Sequence, residues 1–200
     1  MEKFPGDPED ISKLNSAFYI LKESLMSGRL FESEVASNSM FPFLNIGDKV
    51  TIGNVIPEKL KSGDIVVYKR NSSLYAHRYI YTLKRQGGPI SLVTKADNRF
   101  DFDSYLVSIE QLVGKVIVIK GKGTKINLEN FLWEKINSLI GIISSVQAFI
   151  FKVLRYFKPM LLGKKTFPFF KQIIAFPFSI LIKSIILLAY LNKKTGLRFF

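Results

Sequence analysis

The sequence contains no cysteine and a single histidine, His77. The absence of cysteine excludes a disulfide framework, a thiol nucleophile and a cysteine-ligated zinc site. The single histidine excludes the common zinc-hydrolase sites, because these take two or more histidine ligands. We expect any catalysis to proceed without a metal or another cofactor.

Acidic residues are scarce in the second part of the chain. The formal net charge is +13, and no acidic residue follows Glu134. A basic segment of this kind can bind nucleic acid or an anionic membrane surface. Here it is also rich in Ile, Leu and Phe, which favours the membrane, so no nucleic-acid partner is expected.

The N-terminus lacks an apolar run and is acidic, so the sequence predicts neither a secretory signal peptide nor an N-terminal membrane anchor. Residues 1–30 are predicted to contain an amphipathic helix that ends near Gly28, because apolar side chains recur there at intervals of three and four residues. These apolar residues are Ile11, Leu14, Phe18, Leu21 and Leu25.

Residues 31–125 predict a β-rich domain. Short runs that contain Val, Ile, Thr or Tyr are bounded by Gly, Pro, Asn and Ser, as is typical of strands joined by turns. The runs are 49–52, 64–69, 76–83, 90–95 and 114–120, with a hairpin turn predicted at 86–89. Many short strands with regular turns indicate a mainly β fold, either a small coiled β-barrel or a folded sheet.

Residues 126–200 predict a basic, apolar helical extension, and we expect residues 128–200 to contact an anionic lipid membrane. A helix is expected over 128–158, ended by Pro159. Residues 173–191 are almost wholly apolar and approach the ~20 residues that cross a bilayer. Lys183 in their middle costs roughly 2.5–3.5 kcal/mol on insertion, so spanning the membrane, lying at its surface and packing as a buried hairpin all stay open.

Three short blocks carry residues of chemical interest. In chain order they are 37–42 (SNSMFP) followed by Gly47-Asp48, 63–68 (GDIVVY) followed by His77-Arg78, and 94–98 (TKADN) followed by Asp101 and Asp103. A serine hydroxyl is a weak nucleophile until an adjacent base takes its proton, and histidine can do so near neutral pH. A carboxylate on the other ring nitrogen would fix the tautomer. Asp97, Asp101 and Asp103 are the available carboxylates.

The order and content of these blocks resemble the signal peptidase I family of serine endopeptidases, over about residues 33–120. His77-Arg78 resembles the histidine-base branch, which is the archaeal and endoplasmic-reticulum type. The resemblance implies a catalytic domain of signal-peptidase type that cleaves a peptide bond through an acyl-enzyme on Ser39, with His77 as general base. Its substrates would be leader peptides or preproteins with small residues before the cleavage site.

The resemblance also implies roles for the surrounding residues. By position, Asp103 best fits the catalytic acid, while Asp97 is expected to secure the loop and Asp101 stays a rival to Asp103. The Ser39 N–H and the Ser37 hydroxyl would form the oxyanion hole. Met40 would shape the turn that presents Ser39.

Two positions depart from the family pattern. Asn38 stands where the family has Gly, and Ala96 replaces the Gly before Asp97. The altered acid block leaves open a second interpretation, a membrane-surface binding module that keeps the fold without the activity. Because the candidate membrane segment follows the domain, we expect a membrane-associated protein with its catalytic domain on the cytoplasmic face.

Overall fold

The computed structural model describes residues 8–84, 86–121, 124–161, 178 and 180–188. Within these residues the chain forms eight strands, a short 3-10 helix and two long helices, and residues 180–188 are helical as well. The elements are α1 (Pro8–Met26), β1 (Phe31–Glu34), β2 (Lys49–Gly53), the 3-10 helix (Pro57–Lys59), β3 (Ile65–Arg70), β4 (Ser73–Lys84), β5 (Ile90–Lys95), β6 (Val107–Ser108), β7 (Leu112–Gly121), β8 (Thr124–Asn127) and α2 (Phe131–Leu161).

The strands form one antiparallel sheet in the order β1-β2-β7-β3-β4-β5-β6, and β8 pairs with the end of β7. The prediction of a mainly β fold is confirmed. β1 and β6 are the two edges of this path, so the described strands make an open sheet rather than a closed barrel. The five predicted strand runs correspond to β2, β3, β4, β5 and β7, and the predicted turn at 86–89 lies between β4 and β5.

The core lies on both faces of the sheet. Side chains alternate across a strand, so Ile65 and Val67 of β3 enter the larger apolar cluster while Val66 and Tyr68 enter a smaller one. The larger cluster also takes in side chains from beyond the sheet, namely Leu25 of α1, Trp133, Ile136 and Ile140 of α2, and Ile182. Burying one such apolar side chain stabilises the fold by roughly 1.5–3 kcal/mol, so these contacts hold the helices against the sheet.

Helix α2 differs from its prediction at both ends. It begins at Phe131 rather than at residue 128, because Asn130 caps it by accepting a hydrogen bond from the Leu132 N–H at 3.1 Å. It runs to Leu161, so the prediction that Pro159 ends it is wrong. Pro159 lies in the last turn, where its missing N–H removes only one terminal hydrogen bond.

One described helical stretch, Phe131–Tyr156 of α2, is long and apolar enough to cross a membrane, and half of its apolar window is buried inside the protein. This is weak evidence for a span, because a buried core helix passes the same test. Of the predicted apolar run at 173–191, residues 178 and 180–188 are described, and Ile182 among them is 3% exposed in the larger cluster. Residues 162–177 and 189–200 lie outside the described residues.

Helix α2 crosses the turn before β3 at very short range. Gly63 in this turn has a φ of +103°, and a Cβ built on it would come within 2.0 Å of the Asn137 carbonyl oxygen. On the helix side, a Cβ on Gly141 would come within 2.7 Å of the Gly63 nitrogen. Two glycines therefore let the backbones of helix and turn touch.

We expect Gly63→Ala to destabilise the fold far more than Gly87→Ala. Gly87 also has a positive φ of +70°, but nothing lies within 4 Å of its added Cβ. The backbone strain of about 1–2 kcal/mol is thus common to both variants, whereas only Gly63→Ala adds an overpacking cost of about 1–3 kcal/mol. Denaturant unfolding measures both values. Equal losses would contradict the close contact between α2 and the turn.

Candidate active site

His77 lies in the middle of β4, opposite Val66 of β3. Alternation along the strand places Tyr75 and His77 on one face of the sheet and Arg78 on the other. The imidazole packs edge-on against the rings of Tyr68 and Tyr75, with centroid distances of 5.9 and 6.3 Å. An aromatic wall therefore limits the orientation of the histidine ring.

Asp103 is the carboxylate that contacts His77. Its Oδ2 lies 2.6 Å from Nδ1 of His77 and also accepts a hydrogen bond from the Thr94 hydroxyl at 2.8 Å. The Asp103 N–H donates to the Thr94 carbonyl at 2.9 Å, which ties the loop back to β5. The Tyr68 hydroxyl lies 3.1 Å from the same Nδ1.

These contacts determine the charge states around the histidine. Burial favours the neutral form of Asp103, but the hydrogen bonds from His77 and Thr94 and the charge of His77 outweigh it and lower the pKa of this carboxyl. Burial, reinforced by the Asp103 charge, raises the pKa of Tyr68 to about 12. Asp103 is therefore an ionised acceptor beside a neutral phenol.

An ionised Asp103 requires the proton of a neutral His77 to sit on Nδ1, which leaves the lone pair on Nε2. Nε2 makes no hydrogen bond with any residue that the structure describes, and the side chain is 11% exposed. This nitrogen is therefore oriented as an acceptor and available to take a proton.

Ser39 lies in the turn between β1 and β2. The Ser37 hydroxyl donates to the Ser39 hydroxyl at 3.3 Å, and the Asn98 N–H donates to the Ser39 carbonyl at 3.1 Å. Met40 is 1% exposed and belongs to the larger apolar cluster. The turn is thus anchored by the buried Met40 on one side and by the loop after β5 on the other.

Ser39 and His77 share no hydrogen bond in the described structure. Within the described part of the chain, the Ser39 hydroxyl bonds to Ser37, and no hydrogen bond joins it to His77. The structure instead forms two pairs, Ser37 with Ser39 and His77 with Asp103, and both contact residues 94–103. Catalytic hydrogen bonds are often long in the free enzyme and shorten when substrate binds.

Asp97 binds Arg78 rather than His77. Both side chains are 0% exposed, and two parallel hydrogen bonds of 2.8 and 2.6 Å join them. The same guanidinium donates to the Gly63 carbonyl at 2.7 Å and to Asn137 Oδ1 at 3.2 Å. Asp97 therefore fixes the start of the loop that carries Asp103.

Asp101 takes no part in this cluster. Its side chain is 40% exposed, and its Oδ2 lies 3.4 Å from Nη1 of Arg155 on α2. Of the three carboxylates that the sequence leaves open, only Asp103 is positioned to orient His77 in the described structure.

The two departures from the family pattern fit the structure without strain. Asn71 is the only described non-glycine residue with a positive φ, so Asn38 does not need the backbone freedom of glycine. Ala96 is 0% exposed, and its backbone amide contributes to lowering the pKa of the Asp103 carboxyl.

Lys95 is a buried cation that sequence reasoning did not single out. Its side chain packs at 0% exposure, and Nζ donates to Gln147 Oε1 of α2 at 3.1 Å. Burial lowers the pKa of Lys95 to about 8, against the attraction of Asp97. The sequence did not single out Thr94 or Tyr68 either. Thr94 lies inside the third block, and this position could have identified it.

No protein-family model matches the chain, and no curated protein matches it.

We expect Asp97→Ala to lower the free energy of unfolding by about 3–5 kcal/mol, because it leaves the Arg78 charge buried without its partner. Asp101→Ala is the matched control. It removes an exposed carboxylate, whose ion pair is worth at most about 1 kcal/mol. Denaturant unfolding of both variants tests this, and similar losses would contradict a structural role for the buried pair.

We expect Lys95 to make the protein more stable as the pH rises from about 8 to about 10. Its folded pKa of about 8 lies below the ordinary value of 10.5, so between these pH values Lys95 keeps its proton in the unfolded chain and loses it in the folded protein. Raising the pH therefore increases the free energy of unfolding. Lys95→Met should flatten the rise, while Lys152→Met at an exposed position should not. The test is the free energy of unfolding measured by denaturant at both pH values. An equal increase in wild type and in Lys95→Met would contradict the role of Lys95.

Proposed function

We propose that this chain is a serine endopeptidase similar to the histidine branch of the signal peptidase I family, with a catalytic domain of that type. It hydrolyses a peptide bond in a leader or signal peptide near a membrane. The observation that carries the proposal is the 2.6 Å hydrogen bond between His77 Nδ1 and Asp103 Oδ2. It presents Nε2 as a base, in a chain whose Ser39 block precedes it in the order that the family shows.

In the first half of the reaction the Ser39 hydroxyl attacks the carbonyl carbon of the substrate, and its proton passes to Nε2 of His77. The ionised Asp103 stabilises the imidazolium that forms. The Ser39 N–H and the Ser37 hydroxyl stabilise the negative charge on the substrate oxygen. The carbon–nitrogen bond then breaks, and His77 gives its proton to the leaving amine.

In the second half, water attacks the ester on Ser39 and gives a proton to His77. The new carboxylic acid leaves as that proton returns to the Ser39 oxygen. Both halves need the Ser39 oxygen within about 2.6–3.2 Å of Nε2, so a hydrogen bond between Ser39 and His77 has to form when substrate binds. The Asn98–Ser39 hydrogen bond ties the Ser39 turn to the loop after β5. The same loop carries Asp103.

Substrates with small residues before the cleavage site are expected from the family resemblance. The basic and apolar residues of the C-terminal part favour a membrane-associated enzyme, with the catalytic domain on the cytoplasmic face. This combination suits a processing peptidase that meets its substrate at the bilayer surface.

A second candidate function is a membrane-surface binding module that keeps the fold without catalysis. The missing hydrogen bond between Ser39 and His77 within the described residues favours it. A binding module does not need a hydrogen bond between Ser39 and His77.

We expect detergent-solubilised full-length protein to cleave leader peptides of the Ala-x-Ala type. Ser39→Ala and His77→Ala should each lower kcat/KM by at least about 10³-fold, because the triad acts as a unit. Asp103→Asn should be impaired as well, since it no longer fixes the His77 tautomer. Asp101→Asn, which removes a carboxylate of the same loop, is the matched control and should keep its activity.

Labelling by a serine-directed acylating inhibitor separates a wrong substrate from an inactive site, because it needs only an activated Ser39. Labelling that depends on both Ser39 and His77, without peptide cleavage, means that the peptide panel is wrong. A wild-type protein that neither cleaves nor is labelled overturns the peptidase proposal in favour of the binding module.

A further inference from the structure

Helix α2 carries a second apolar face that the sheet does not cover. Its members follow one another at alternating intervals of three and four residues, which places them along one side of a helix. Each is between 36% and 81% exposed. We call them the outer stripe: Leu139, Ile142, Val146, Phe149, Val153 and Tyr156.

The inner face of α2 is already occupied. Ile136 and Ile140 are buried in the larger apolar cluster, and Phe151 is buried against Phe100 of the loop after β5. All three lie on the opposite side of the helix from the outer stripe. A helix that is apolar on both faces is typical of a core or a membrane environment. A continuous exposed apolar surface of this length on a soluble protein marks an interaction site.

The charges near the C-terminal end of the outer stripe are predominantly positive. No acidic residue follows Glu134, while Lys152 and Arg155 flank the stripe near its C-terminal end. Together with Arg99 they line a cavity of about 580 Å³ between α2 and the loop after β5. In the described part of the chain, Asp101 is the one carboxylate that lines this cavity, and it lies 3.4 Å from Arg155.

We propose that the outer stripe of α2 lies flat in the interface of an anionic lipid bilayer, with Lys152, Arg155 and Arg99 against the headgroups. The combination of an apolar stripe and unbalanced positive charge matches helices that bind in the interfacial plane. A second copy of the chain fits less well. A pair of such stripes would have no carboxylate on the helix after Glu134 to form ion pairs with Lys152 and Arg155.

The inner face explains why the helix lies on the membrane rather than across it. Asn137 bonds to Arg78, and Gln147 bonds to Lys95, both inside the protein. A helix that crossed the bilayer would have to release these two buried cations. Binding through the outer stripe leaves every one of these contacts intact.

The inner face of α2 also contacts the loop of the candidate active site. Phe151 of α2 packs on Phe100 with ring centroids 5.5 Å apart, and Phe100 belongs to the loop that carries Asp103. Membrane docking itself does not depend on catalysis.

The first test is flotation of the full-length protein with two kinds of vesicle, pure phosphatidylcholine and an equimolar mixture with phosphatidylglycerol. We expect binding to the anionic vesicles that weakens with salt. Phe149→Ser/Val153→Ser should lower the partition at least about tenfold, because two exposed apolar side chains no longer enter the lipid. Lys152→Gln/Arg155→Gln should weaken binding to anionic vesicles only.

The matched control is Ile56→Ser/Ile90→Ser, which changes two exposed apolar residues away from α2 and should leave flotation unchanged. Circular dichroism confirms that each variant folds. Flotation that is unaffected by Phe149→Ser/Val153→Ser overturns the proposal, as does concentration-dependent dimerisation that the same variant abolishes. Ser39→Ala should float like wild type, so a failure of the peptidase proposal and a failure of docking are separate outcomes.

The second test measures depth and exploits the absence of cysteine. Single cysteines replacing Leu139, Val146 and Val153 can each carry a nitroxide label without a competing thiol. Paramagnetic relaxation should then report the same shallow depth at all three positions. Depths that change steadily along the helix would show that it crosses the bilayer, and would overturn docking in the plane.

Discussion

The buried ion pair between Arg78 and Asp97 is the interaction on which the site depends. Removing either charge from water costs several kcal/mol unless a partner meets it with good geometry. The bidentate contact of 2.8 and 2.6 Å provides that partner, and the remaining guanidinium donors reach the Gly63 turn and Asn137 of α2. One side chain thus binds the strand, the turn, the loop and the helix at a single point.

The position of the pair determines what lies on the other face of the sheet. Arg78 is neighboured by His77, and successive side chains of a strand point to opposite faces. Holding Arg78 on one face of the sheet therefore directs His77 to the other face, where it meets the loop that Asp97 begins. That loop delivers Asp103 to His77 Nδ1 and the Asn98 N–H to the Ser39 carbonyl. Residues 94–103 are consequently the meeting point of all the candidate catalytic groups.

The sequence predicts the parts of this structure that have a local cause. The runs behind β2, β3, β4, β5 and β7 were found because β-branched and aromatic residues stand between turn residues. β1 (FESE), β6 and β8 (TKIN) were missed, because β1 and β8 are mostly polar and β6 has two residues, so each depends on its pairing partner. The sequence left three carboxylates open as the candidate catalytic acid, and the geometry places Asp103 on His77. The bond between Lys95 and Gln147 joins residues 52 positions apart, and no pattern along the chain encodes such a contact.

The buried amides of α2, Asn137 and Gln147, limit where the chain can be truncated. All eight described strands end by Asn127, so a shortened chain that stops there would retain the whole sheet. It would also leave Arg78 without Asn137 and Lys95 without Gln147, and it would uncover the Gly63 turn against which Gly141 packs. Sheet and helix therefore belong to one cooperative unfolding unit. The smallest fragment in which both buried cations keep their partners extends to Gln147.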